Sequence, residues 1–468
     1  MEPIALTAGE IAAVVRGEVA GGDRARRIER YSIDSRTVAP GEMFIAIRGE
    51  RFDGHWFVAD ALARGAAGAI VQEAAAGVAA ASTGPVLIRV TDTIGALQDL
   101  GREIRRRSGA RVAAITGSAG KTTTKETAAE FLAARYRVFR NKGNLNNHIG
   151  LPISLLELRT RPDVAVVELG MNHPGEIRTL VGIAEPEVRV WTNVGDAHLG
   201  FFDSPDAIAD AKAEILEQAQ ATDVLVANAD DPRVMLRARA FAGRLVSFGT
   251  REDADVRAVD VELRGLDGSA ARLRTPGGEA ALHVPLLGLG NLSNVLAAAA
   301  TALEFGVPLQ EIAERARGLR PAVHRGELIR LPGGVTLVDD SYNSSPSALT
   351  RALEVIAAAG GCARKVAVLG EMLELGAHAE RLHLECGRAA ASAGLDVLVT
   401  VGGPPASALA RAAVAGGMPS ASVVHVATSE DAARLAVTRV RPGDLVLVKG
   451  SRGIGTDLVV ERLRAEFA

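Results

Sequence analysis

The residues from Arg111 to Glu126, RVAAITGSAGKTTTKE, have the types and spacing to hold a polyphosphate. Val112 to Ile115 is an apolar run that predicts a buried strand. Gly117, Ser118, Ala119 and Gly120 break it, and Lys121, Thr122 and Thr123 open a helix. Glycines let backbone N–H groups approach an anion closely, and the new helix turns its positive end on the same charge. The Lys121 ammonium is a mobile charge for the terminal phosphates, and the Thr122 hydroxyl suits magnesium. The spacing is G-x-x-G-K-T, with Ile115 where the commoner loop has its distal glycine. The segment reads as a nucleoside triphosphate site.

Magnesium bound with a triphosphate needs hard oxygen ligands beside this loop. The apolar run Val164–Val167 ends at Glu168, and strand ends of a doubly wound sheet meet in one crevice. Glu168 therefore stands between a metal ligand and a solvated strand end. His198, after the run Val188–Asn193, stands between a second ligand and a structural histidine. Lys212 reads by itself as a solvated helix lysine. Asn291 and Asn294 open an alanine-rich helix over 291–305 and either cap it or face a nucleobase. Asn141-Lys142-Gly143-Asn144 imitates a guanine-specificity element but lacks its aspartate, so GTP is not supported. Asp230-Asp231-Pro232-Arg233 reads as a turn with a helix start.

These groups need a scaffold. Strands predicted at 112–116, 163–168, 188–194, 223–229 and 245–249 alternate with helices, which implies a mostly parallel sheet covered on both faces. From 254 to 287 short alternating segments with Gly-rich turns predict an antiparallel addition. After about residue 322, KVAVLG, DVLVTVG, SVVHVAT and DLVLVKG repeat the strand–helix rhythm of a Rossmann-like domain. The expected organisation is α/β with three domains: a smaller N-terminal α/β domain (1–108), a central P-loop doubly wound domain (109–321) and a C-terminal Rossmann-like domain (322–468). Gly101 to Gly109 is the expected linker or connecting helix end. The alanine-rich stretch from Ala59 to Ala81 reads as helix–strand–helix, because Asp60, Arg64, Gln72 and Glu73 interrupt it.

With 468 residues and a net charge of −3, the composition allows sizeable cores and argues against a nucleic-acid or anionic-membrane surface. Cys362 and Cys386 lie far apart, which disfavours a disulfide framework or structural zinc. The start of the chain lacks a basic segment followed by an apolar core, so a soluble cytoplasmic protein is expected.

The ordered set of segments resembles the Mur ligases of peptidoglycan synthesis across essentially the whole chain. The segments are TGSAGKTTTKE (116–126), NLNNHIGLP (144–152), ELGMNHPGEI (168–177), NVGDAHLGFF (193–202), DDSYNSSP (339–346), VLGEMLELG (368–376) and VKGSRG (448–453). The DSR and PGEMFIAIRGERFDGH stretches of the first block are similar too. The resemblance is strongest to the branch that joins D-alanyl-D-alanine to UDP-N-acetylmuramoyl-tripeptide using ATP. It implies that Lys121 contacts the ATP phosphates, that Thr122 and Glu168 hold one magnesium, and that His198 helps hold a second. Lys212 falls where the family carries a carbamylated lysine. Asn291 would lie by the adenine, and Arg325 and Asp340 would reach the γ-phosphate and ribose. Ser35 and Arg36 would hold the UDP portion, with Asn146, Asn147, Asn172 and His173 along the muramoyl-peptide channel. Nothing in the resemblance demands more than a monomer.

Three departures stand out. Gly290 replaces a histidine often found before the adenine helix, Ser345-Pro346 replaces Asn-Pro, and His324-Arg325 replaces Gly-Arg. The branch that adds the third amino acid is the rival, but Gly402-Gly403-Pro404-Pro405 stands where its diaminopimelate-selecting members show D-N-P-R. A P-loop NTPase that only binds partners is the alternative from another class.

Overall fold

The computed structural model describes residues 2–49, 52–72, 84–197 and 199–467. The central sheet has the strand order 278–284, 269–275, 256–263, 244–249, 224–228, 188–191, 111–116, 164–168, 138–140. From 138–140 to 256–263 all pairings are parallel, and the last two are antiparallel. Strand Arg111–Thr116 has the two strands that follow 138–140 in the chain on opposite sides, 164–168 on one and 188–191 on the other. The winding reverses there, and a reversal leaves an open crevice at the carboxyl ends of the strands. These strands are Val- and Ala-rich and buried because helices cover both faces.

The third-domain sheet runs 327–330, 336–340, 445–449, 365–370, 397–401, 423–426, parallel except for its first pairing. The first-domain sheet runs 18–21, 86–89, 68–71, 43–45, 31–32. Helix Val58–Ala63 and strand Gly68–Val71 match the expected start of the alanine-rich stretch, whose remainder from Glu73 to Ala81 lies outside the described residues. No helix among the described residues is long and apolar enough to cross a membrane.

The arginine-rich segment before the central domain is the end of a helix, Thr93–Ser108, started by the Asp92 side chain and stopped by Gly109 at φ 71°. Leu97, Leu100 and Ile104 point into one core shared by first-domain residues such as Ile88 and central residues such as Leu155. Gly101 lets this helix sit directly on the turn at Pro152: a Cβ there would come within 2.9 Å of the Pro152 carbonyl oxygen. The third domain has apolar cores on the two faces of its sheet, one of them including Leu287 from the central domain.

Because Leu100 is fully buried in the shared core, Leu100→Ala is expected to cost about 2–5 kcal/mol. The check is a shift to lower denaturant in an unfolding curve, with the first and central domains losing structure together.

Candidate active site

The phosphate loop leaves strand Arg111–Thr116 at the winding reversal and feeds helix Lys121–Leu132. Two of its glycines are required by contact as well as by conformation. Gly117 has φ 151°, and a Cβ on it would fall 1.9 Å from Thr192 Oγ1. Gly120 has φ 83°, and its Cβ would fall 2.0 Å from Asn294 Oδ1. The loop is tied to the neighbouring strand end by Asn193, whose Oδ1 accepts from the Ala119 N–H at 2.9 Å. Asn193 Nδ2 donates to the Ala119 carbonyl at 3.0 Å. Ser118 N–H donates to the Asn193 carbonyl.

Lys121 Nζ donates to the Gly117 carbonyl at 2.9 Å, folding back over the loop. Burial lowers its pKa, the Glu168 carboxylate opposes the shift, and the Arg325 cation adds to it. Thr122 Oγ1 donates to Glu168 Oε2 at 2.8 Å, and Asn146 Nδ2 donates to Oε1 at 2.8 Å. Glu168 is itself positioned through its backbone N–H, which donates to Asn141 Oδ1 at 3.1 Å. The N-K-x-D look-alike is therefore a buried support: Asn141 also takes the Lys125 ammonium on its carbonyl at 2.6 Å.

Lys212 is buried on helix Pro205–Ala213, which contradicts the solvated face read from its sequence neighbours. The helix turns Lys212 inward and leaves Asp206 and Asp210 outside on Arg237. Burial drives the Lys212 pKa well down, the Lys121 cation pushes the same way, and Glu168 opposes. The ordinary lysine charge is thus disfavoured beside a second ammonium. His198 lies outside the described residues.

A cavity of about 450 Å³ opens between the central and third domains. Ser118–Lys121 and Thr123 form one wall, Leu287–Asn291 and Asn294 another, and Arg325, Asp340 and Lys449 face them from the third domain. Asn291 does not open its helix as expected. The helix begins at Gly288, whose φ of 77° starts the turn, and Asn291 Nδ2 donates back to the Leu287 carbonyl at 2.9 Å. Asn294 Nδ2 donates to Asn291 Oδ1, so the two amides form one ladder facing the loop.

Arg325 stacks on Tyr342, with Cζ 4.1 Å from the ring centroid. Lys449 Nζ donates to Asp340 Oδ2 at 2.6 Å and to the Asn343 carbonyl at 2.9 Å. His324 precedes Arg325 with φ 60°, a left-handed conformation that favours glycine. Its Nδ1 lies 2.7 Å from Oδ2 of buried Asp339, a partner that secures the side chain there. Ser345 and Pro346 start helix Pro346–Ala358, with proline in its first turn.

Arg36 is exposed and paired with Asp34 at 2.7 Å, and neither Ser35 nor Arg36 lines the cavity. Asn147 Oδ1 accepts from the Gly150 N–H at 2.8 Å and starts a helix. The backbone N–H groups of Asn172 and His173 donate to Glu176, and the His173 ring tilts against Phe201. Asn193, Asn141, Lys449 and Tyr342 carry the site but drew no role from the sequence. Asn193, Tyr342 and Lys449 lie inside segments whose order drew notice, while Asn141 gave no signal beyond a misleading motif.

The chain matches the Mur ligase middle domain over 115–302, the Mur ligase glutamate ligase domain over 324–452 and the Mur ligase family catalytic domain over 27–103. It is 33% identical to the UDP-N-acetylmuramoyl-tripeptide–D-alanyl-D-alanine ligase of Bacillus subtilis, over 98% of both chains. The chain belongs to the Mur ligase family. Among solved structures, MurF from Acinetobacter baumannii superposes with a TM-score of 0.88 at 33% identity, covering 99% of this chain and 100% of that one. MurF from Thermotoga maritima, solved in complex with ADP, gives 0.81 at 29% identity over 94% and 98% of the chains.

In this Mur ligase the contact between Gly120 and Asn294 holds the loop against the cavity wall. Gly120→Ala is expected to displace one of them and weaken binding of Mg-ATP by about tenfold or more, since the left-handed φ and the amide both oppose a Cβ. Calorimetric titration of the variant against the parent checks this.

Proposed function

We propose that this Mur ligase joins D-alanyl-D-alanine to UDP-N-acetylmuramoyl-tripeptide with consumption of ATP. The observation that carries the proposal is the cavity itself: a phosphate loop on one wall faces Arg325 and Asp340 from a different domain. The name of the Bacillus subtilis relative supplies the substrates.

In the proposed reaction a terminal carboxylate oxygen of the tripeptide attacks the γ-phosphorus. The bond to the β-phosphate oxygen breaks and ADP leaves. The dipeptide amine then attacks the acyl phosphate carbon, loses a proton, and phosphate departs as the amide forms. The first step brings anions together, so Lys121 and Arg325 act by spreading charge over the phosphoryl oxygens. Asp340 is assigned to the ribose and Asn291 to the adenine side. Gly117, Ser118, Ala119, Gly120, Thr122 and Thr123 complete the phosphate cradle. Domain closure keeps water from the acyl phosphate.

The donor set fits magnesium. Thr122 hydroxyl and Glu168 carboxylate share one hydrogen bond, and a triphosphate-bound magnesium needs only one or two protein oxygens. Thr122 and Glu168 would hold it, with Lys212 and His198 assigned to a second ion, and bound magnesium would neutralise charge developing on the phosphates. A carbamate fits Lys212 because a neutral amine, favoured there by burial, is the form that adds carbon dioxide. On the substrate side, Ser35 and Arg36 are assigned to the UDP portion, with Arg36 already oriented by Asp34. Asn146, Asn147, Asn172 and His173 are assigned to the muramoyl-peptide channel. One chain supplies every group named, so the proposed working unit is a monomer, acting in the cytoplasm where ATP is available.

The test is phosphate release from Mg-ATP and UDP-N-acetylmuramoyl-tripeptide, with and without D-alanyl-D-alanine, alongside the mass of the product. Dipeptide-dependent release and a pentapeptide product mass are expected. Lys121→Ala should lower turnover by about a hundredfold or more. Lys212→Ala should lose activity and regain part of it with added short carboxylic acids. Turnover with a single amino acid on the shorter precursor would replace this reading with addition of the third residue. Hydrolysis indifferent to acceptor would leave only a nucleotide-binding module.

A further inference from the structure

The phosphate loop touches the helix Gly288–Glu304 at Asn294, which marks where phosphates lie along that helix. Gly290 lies four residues earlier, about 6 Å towards the helix start, and lines the same cavity. With no side chain, Gly290 leaves that stretch of wall bare. Opposite it is Arg351 of the third domain: a Cβ built on Gly290 would lie 3.5 Å from Arg351 Cδ and 3.7 Å from Nη1. These are ordinary van der Waals separations, so the guanidinium lies beside the place a larger residue at 290 would fill.

Arg351 has no hydrogen-bond or ion-pair partner among the described residues, and it lines the cavity. The other third-domain arginine on this wall, Arg325, is already stacked on Tyr342 and acts on the charge of Lys121. Around Arg351 the wall is largely apolar, with Glu354 its charged member. Ala348, Glu354 and Val355 share its helix face and line the same cavity, and Leu289 faces the cavity while 53% exposed. An unpaired planar cation beside Leu289, Ala348 and Val355, one helical turn from the phosphate loop, suits the face of an aromatic base.

We propose that Arg351 is the base clamp of the nucleotide site, stacking on the purine across the cleft in the space that Gly290 leaves open. The proposal rests on the nucleotide reading of the cavity given above. Because Arg351 belongs to the third domain and Gly290 to the central one, base binding and domain closure reinforce each other. The residue is a binding and positioning group and does not touch the reacting atoms.

The test compares Arg351→Ala and Arg351→Lys with the parent in calorimetric titrations with Mg-AMPPNP and with inorganic tripolyphosphate, alongside melting curves. Arg351→Ala should bind AMPPNP about 3- to 30-fold more weakly and tripolyphosphate within about twofold of the parent. Arg351→Lys should remain weakened for AMPPNP, because an ammonium lacks the planar face. Unchanged AMPPNP affinity in Arg351→Ala, equal losses for both ligands, or full recovery with lysine would overturn the clamp. A parent chain that does not bind AMPPNP would instead overturn the nucleotide reading. Should Arg351→Ala melt early, Arg351→Lys, which keeps the stem and charge, decides the matter by the same comparison.

Discussion

No side chain can stand at Gly117 or Gly120, because Thr192 on one side and Asn294 on the other already occupy that space. This double contact sets the position of the phosphate loop relative to both the neighbouring strand end and the helix that walls the cavity. Lys121 and Thr122 follow from it, since they are the first residues of the helix that leaves the loop. Glu168 is then brought to Thr122 by the parallel register of its strand, which pairs it with Ile115. The chemistry at the crevice is thus a consequence of backbone packing before any charge is considered.

Charge makes the same site a place for anions. Burial and the Lys121 cation both push the Lys212 pKa down, and burial and the Arg325 cation do the same to Lys121. Against them stands Glu168, held by a hydroxyl, an amide and a backbone hydrogen bond. Such an excess of positive groups in a partly buried cleft is costly unless an anion joins them. A polyphosphate meets that need, and so would conversion of the Lys212 amine to a carbamate.

The domains are joined unequally. The first and central domains share one apolar core through helix Thr93–Ser108, so separating them would expose fully buried leucines. The third domain has cores on both faces of its sheet, one of which takes in Leu287 and packs against Leu266 of the central domain, and it meets the central domain across the cavity. It also meets it at a backbone contact where the Gly200 N–H donates to the Glu374 carbonyl at 2.7 Å. Gly376 faces Gly200 there, each lacking the side chain that would hold the backbones apart. The nucleotide groups are divided across this seam.

The phosphate loop, the parallel central sheet, the antiparallel addition and the Rossmann-like third domain were legible because each depends on local order: apolar runs, glycine spacing and strand–helix alternation. Glu168 was legible as a strand end. Lys212 was not, because helix Pro205–Ala213 is acidic on its outer side and only packing decides which side is inner. Asn141 misled for a similar reason: its partners, Glu168 and Lys125, are 27 and 16 residues away. Asn291 was placed at a helix start that the φ of Gly288 moves three residues earlier. By itself, then, the sequence determined the elements, their order and the residues that approach a phosphate, since these follow from neighbours along the chain. Only the tertiary structure decided which lysine is buried, which asparagine supports the carboxylate and that Arg351 faces Gly290, because burial and contacts across a cleft depend on residues far apart in the chain.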